Sequence, residues 1–133
     1  MVGQLKCVVV TPERTVLDEQ AEFVALPLYD GEIGILAGRS PLIGRLGYGE
    51  MRIKRDDQIE RYYVEGGFVE VVGDVISVLT NRAIRAEDLD ETRAREQLAT
   101  ARERSARTPE TMAIRERAVA QARAEMRVAQ RGR

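Results

Sequence analysis

All but one of the 11 glycines in this 133-residue chain lie at or before Gly73, and the exception is Gly132. That asymmetry constrains the fold more than any other feature. Glycine suits turns and bulges, but inside a helix it costs about 0.5–1 kcal/mol relative to alanine. A glycine-punctuated first part and a glycine-free, Ala/Arg/Glu-rich second part therefore call for different architectures. The break falls near Arg85, which divides the chain into residues 1–85 and 86–133.

The first part reads as short β-strands. "LKCVVV" is a β-branched run closed by Thr11-Pro12, "EFVAL" alternates before Pro27, and "GEIGIL" follows the turn signal Asp30-Gly31. "GEMRIKR", "QIERYYV", "FVEVV" and "VISVL" complete the series, with the spacing of a sandwich or flattened barrel. In "FVEVVGDVISVL" the pair Gly73-Asp74 suits a two-residue type II′ turn. That turn sets Val72 opposite Val75 and Val71 opposite Ile76. Val69, Val71, Ile76 and Val78 then share an apolar face, and Glu70 and Ser77 share the other. A second hairpin is expected to turn at Asp56-Asp57.

The second part has helical periodicity. "AEDLDETRAREQLATARERSA" predicts a first helix whose stripe is Ala94, Leu98, Ala101 and Ser105. Thr108-Pro109 reads as an N-cap followed by proline at the first helical position of a second helix, which is expected to run to about Gln130. Its stripe is Ala118, Ala122, Met126 and Ala129. The short connection implies an antiparallel hairpin. Small stripes bury little area at about 25 cal/mol per Å². Backbone ordering opposes them by roughly 1–2 kcal/mol per residue, so the hairpin should be marginal by itself. The expected fold class is α+β: an antiparallel β-sandwich followed by an antiparallel two-helix arm that can detach.

Composition removes most chemistry. There is no histidine and a single cysteine, Cys7, which excludes Ser-His and Cys-His nucleophile pairs and His-containing zinc sites. Cys7, in an apolar run, reads as a small buried hydrophobe. The net charge of −1 and the absence of tryptophan argue against a nucleic-acid partner. No stretch approaches the roughly 20 apolar residues of a membrane span, and the start has neither signal-peptide nor transit-peptide character. "VEGGF" lacks the Lys-Ser/Thr pair of a phosphate loop, so Gly66-Gly67 is expected to be a bend between strands.

Two stretches carry a resemblance. "LPLYDGEIGILAGRSPLIGRLGYGEMRI" and "YVEGGFVEVVGDVISVLTNRA" resemble the epsilon subunits of F-type ATP synthases, and the likeness extends over essentially the whole chain. Two positions depart from the usual pattern. Leu28 stands where a glycine is common, and Arg39 occupies the usual histidine place.

The resemblance implies a non-catalytic rotor subunit. The sandwich would link the gamma subunit to the c-ring, with Asp30, Gly31, Glu32 and Arg39 facing the ring. The helical arm would reach toward the alpha and beta subunits and restrain ATP hydrolysis. Membrane contact would come only through the complex, at the cytoplasmic face of a bacterial membrane rather than a plastid thylakoid. No cofactor is required, but ATP is a candidate regulatory ligand. Some members bind it through Ile/Leu-Asp-x-x-Arg-Ala and Arg-Ala-x-x-Arg. Here Leu89 to Ala94 fits the first pattern, nominating Asp90, Arg93 and Ala94. Arg123 to Arg127 fits the second, nominating Arg123 and Arg127. A further arginine found in ATP-binding relatives is replaced by Thr100. Arg102 lies roughly 200° round the helix from that position and is no simple substitute. The bland alternative is an Asp90–Arg93 ion pair on a solvated helix. A free-standing ATP sensor with the sandwich as scaffold is the competing functional reading.

Overall fold

The computed structural model describes residues 4–131. Ten strands build two five-stranded sheets. The first sheet has the order β2 (Thr15–Ala21), β1 (Leu5–Val10), β9 (Val75–Leu79), β8 (Phe68–Val72), β5 (Leu42–Arg45). The second has the order β10 (Ala83–Arg85), β7 (Gln58–Glu65), β6 (Tyr48–Arg55), β3 (Phe23–Leu28), β4 (Gly31–Leu36). The sandwich core lies between them. Alternation aims Leu5, Cys7, Val9, Val69, Val71, Ile76 and Val78 inward from one sheet, and Val24, Leu26, Ile35, Met51, Ile53, Tyr62 and Val64 from the other.

The hairpin readings hold in register. Val72 pairs with Val75, Val71 with Ile76 and Val69 with Val78. Gly73 has φ of 60° and Asp74 is not in the positive region, as a type II′ turn requires. The Asp56-Asp57 turn also forms, with Arg55 opposite Gln58 and Asp56 taking the positive φ of 54° that glycine takes in its counterpart. Gly66 and Gly67, with φ of 70° and 99°, form the corner at which the chain leaves one sheet as β7 and enters the other as β8.

Two expectations change. The sandwich is not wholly antiparallel, because β1 pairs with β9 in parallel. These strands are remote in sequence, so sheet closure rather than a hairpin sets their relative direction. Three strands absent from the periodicity reading, β2, β5 and β10, are all sheet edges. Each pairs on one side only, so its sequence carries a weaker apolar signal, as in "TVLDEQA" with Leu17 and Ala21 alone buried.

The helical region starts later than the periodicity suggests. Ala86–Asp88 form a 3-10 turn, Leu89 is extended, and α1 runs Glu91–Glu103. Ala94, Leu98 and Ala101 are buried, whereas Ser105 lies beyond the helix and is exposed. The second helix, α2, runs Pro109–Arg131. Thr108 caps it: its Oγ1 accepts from the Thr111 N–H at 3.2 Å and its carbonyl from the Met112 N–H at 2.9 Å.

Candidate functional site

The arm meets the sandwich through α2. One side of that helix packs on α1. Another side lays Ala124 and Val128 on Tyr63 and Ala86, with Tyr48 and Leu89 at the margin. Tyr62 faces the core while Tyr63 faces outward under α2, so four consecutive residues of β7, Tyr62 to Glu65, are buried. The contact patch is small: the Tyr63 hydroxyl donates to the Gln121 carbonyl at 3.4 Å, and an ionic contact lies beside it.

That ionic contact was not legible from the nominated motifs. Arg82 donates to Glu65 at 3.4 Å and to Glu125 at 3.5 Å, bridging sandwich and arm. Burial, opposed by Arg82 and assisted by Glu125, holds the Glu65 carboxyl above the ordinary glutamate range. Tyr63 is pushed up by burial first and then by the two carboxylates. For Arg82, burial works against the charge, but Glu125 and Glu65 outweigh it and raise the guanidinium. Glu125, which lies between Arg123 and Arg127 in sequence, is turned into the interface. A second stripe at Ala124 and Val128, four residues apart, is the signal that would have revealed this face.

The first nucleotide motif proves to be a helix start. Asp90 has extended backbone, with φ of −101° and ψ of 110°. Its Oδ1 accepts from the Arg93 backbone N–H at 3.2 Å, and its carbonyl accepts from the Ala94 N–H at 3.0 Å. The bond between Asp90 and Arg93 thus runs to the backbone rather than to the guanidinium. Ala94 is buried against α2, at 1% exposure. Glu91 accepts from Arg95 at 3.0 Å and from Gln130 at 3.2 Å, tying the start of α1 to the end of α2.

The two candidate nucleotide motifs lie on different sides of the hairpin. Arg93 and Thr100 line a groove of about 500 Å³ beside Arg82, Glu65 and Glu125. Arg123 and Arg127 line a larger groove of about 1210 Å³ between α2 and the sandwich, with Arg45, Arg117, Tyr29 and Tyr48. Arg123 also lines a third groove with Arg102 and Arg115. Helix geometry explains the split: at 100° per residue, Arg123 and Arg127 sit roughly 120–160° from the side of α2 that meets α1. For the same reason Arg102 and Thr100 open on opposite sides.

The four candidate ring-facing residues also separate. Asp30 and Gly31 lie at the β3–β4 turn, and Glu32 pairs with Arg52 at 3.0 Å. Arg39 lies beyond the other end of β4, in a turn held by the Gly38 N–H donating to the Asp74 carboxylate at 2.9 Å. Six strand residues at about 3.3 Å each separate the two ends. Among the described residues no His, Cys, Asp and Glu cluster could hold a metal ion, and no helix is long and apolar enough to cross a membrane.

Residues 4–86 match the family model of the ATP synthase delta/epsilon chain β-sandwich domain. The chain belongs to this family. Over 123 residues it is 51% identical to the ATP synthase epsilon chain of Rhodopirellula baltica, covering 92% of this chain and 96% of that one. The epsilon chain of Carboxydothermus hydrogenoformans is 45% identical over 107 residues, 80% of each chain. The sodium ion specific epsilon chain of Propionigenium modestum is 32% identical over 127 residues, 94% of this chain and 93% of that one. The fold extends to a chain of the Euglena gracilis mitochondrial ATP synthase, solved with OSCP, F1 and c-ring. That match has a TM-score of 0.82 at 21% identity and covers 91% of this chain and 78% of that one. Family membership makes the protein a non-catalytic central-stalk subunit of ATP synthase.

Proposed function

We propose that the sandwich joins the gamma subunit to the c-ring of a bacterial synthase, at the cytoplasmic face of the membrane, and that the helical arm restrains ATP hydrolysis when it leaves the sandwich for the alpha and beta subunits. The observation that carries this reading is the narrow attachment of the arm. α2 rests on the outer face of the sandwich through Ala124 and Val128 over Tyr63 and Ala86, and α1 rests on α2 through alanines and Leu98. A fully buried valine contributes about 1.5–3 kcal/mol and each alanine less. The docked and released arms therefore differ by a few kcal/mol, the range in which a partner or ligand shifts a population. Asp30, Gly31, Glu32 and Arg39 supply polar contacts toward the ring.

ATP favours the docked arm in this reading, held by Asp90, Arg93, Ala94, Arg123 and Arg127. Because Arg93 and Arg123 line different grooves, nucleotide binding entails a shift of α2 against α1. The test uses the assembled complex with this chain truncated after Arg85. Assembly should persist and ATPase activity should rise; hydrolysis unchanged under every nucleotide condition refutes the inhibitory arm. Calorimetry of the isolated chain with ATP, wild type against Arg123→Ala, tests the nucleotide site separately.

A further inference from the structure

Where the arm meets the sandwich, two carboxylates share one cation. Glu65 belongs to β7 and stays in place without the arm, since its backbone N–H donates to the Thr80 hydroxyl at 3.0 Å and to the Arg82 carbonyl at 3.2 Å. Glu125 arrives only when α2 docks. Their side chains are 9% and 12% exposed, whereas Arg82 between them is 45% exposed. The acids are thus more deeply desolvated than the guanidinium that balances them. Both ionic contacts are long, so neither carboxylate gains a close bidentate pairing.

We infer that Glu65 and Glu125, bridged by Arg82, form a proton-sensitive latch that holds the arm on the sandwich more firmly in acid than in alkali. Docking the ionised pair brings a second negative charge onto Arg82, the half-exposed cation that both carboxylates contact. A proton on Glu65 removes that repulsion and the cost of burying its charge. The other titratable or charged groups facing the pair are Tyr63 on β7, Tyr48 on β6, and Arg93, Glu96 and Arg104 on α1. Each arginine from α1 lines the groove from its exposed rim, where water screens it. The sign follows from linkage. Burial and Glu125 raise Glu65 in the docked state more than Arg82 lowers it, so the docked form binds protons more readily. Docking is therefore strongest below the ordinary glutamate range and weakens as pH rises through the elevated one.

The inference rests on the arm being detachable, and the experiment separates the two. In the full chain, Ile59→Cys and Ile114→Cys place a fluorophore pair on exposed positions of sandwich and arm; the native Cys7 is fully buried. The docked fraction is read by energy transfer between about pH 5 and about pH 8. The wild-type fraction should fall as pH rises. Glu65→Gln should remain docked across the range, and Arg82→Gln should release the arm at high pH and regain it in acid. Glu125→Gln, on the other side of the bridge, should behave like Glu65→Gln. A wild-type profile that does not change with pH, or one that both glutamine variants leave unaltered, overturns the latch. Val128→Asp should release the arm at high pH regardless; if it too stays docked, the detachable arm itself is refuted. Circular dichroism of the sandwich checks that every variant is folded.

Discussion

A methyl group at Gly67 should be the costliest single-carbon addition in the sandwich. An alanine Cβ there would lie 1.8 Å from the Leu79 carbonyl oxygen, 2.8 Å from its carbon and 2.9 Å from the Thr80 Cα. All three are backbone atoms, so no side chain can rotate away. The φ of 99° adds left-handed strain of about 1–2 kcal/mol for any residue with a Cβ. Moving the end of β9 to make room adds about 1–3 kcal/mol of overpacking. The expected loss is about 2–5 kcal/mol, a large part of the roughly 5–15 kcal/mol that stabilises a domain. Gly66 supplies the control. Its φ is 70°, but the nearest neighbour of an added Cβ is the Tyr48 ring at 3.4 Å, an ordinary contact, so Gly66→Ala should cost only the strain of about 1–2 kcal/mol. Urea denaturation of the two full-length variants, followed by circular dichroism, measures the difference. If Gly67→Ala proves as stable as Gly66→Ala, the placement of the β7–β8 corner against β9 is wrong. The outcome bears on the arm too, because Thr80 holds the backbone of Glu65.

Val128→Ala should weaken arm docking by about 1–3 kcal/mol, seen as faster amide exchange in α2 with little change in sandwich unfolding; equal loss in both would mean the arm is integral to the sandwich. Asp90→Ala should cost about 1 kcal/mol of α1 stability through the lost cap, whereas Asp90→Asn should retain it. If Asn also abolishes an ATP heat that the wild type shows, Asp90 contributes charge to the ligand beyond its cap. Burial, with Glu19 assisting, pushes the Cys7 thiol up to about 12 from its ordinary 9.0. The folded chain should therefore resist thiol reagents at pH 8 and react once unfolded. The raised value is a stabilisation present below pH 9.0 and lost as pH rises toward about 12, so alkaline titration should lower the unfolding midpoint, and a Cys7→Ala variant should lose that component.

Local pattern and tertiary assembly contributed differently to what could be read. The β8–β9 register was legible because a one-residue slip would have buried Glu70 and Ser77. Asp90 was visible as a motif residue, but its role as a cap became clear only with the helix start at Glu91, since Asp88 and Asp90, two positions apart, are both residue types that cap helices. The strands β2, β5 and β10 escaped because they bury few apolar side chains: Leu17 and Ala21 in β2, and none in β5 or β10. Arg123 and Arg127 looked like companions of Arg93 in sequence, yet the rotation of α2 set them on another groove.

By itself the sequence determined the apolar faces of the central strands, the turns and the helix pair. Each depends on periods of two or about 3.6 residues and on turn chemistry within a few positions. Only the tertiary structure decided the parallel β1–β9 pairing, the seat of α2 on Tyr63 and the meeting of Glu65, Arg82 and Glu125. Arg82 and Glu125 are 43 positions apart, and no local period encodes which charge a docking helix will bury against another.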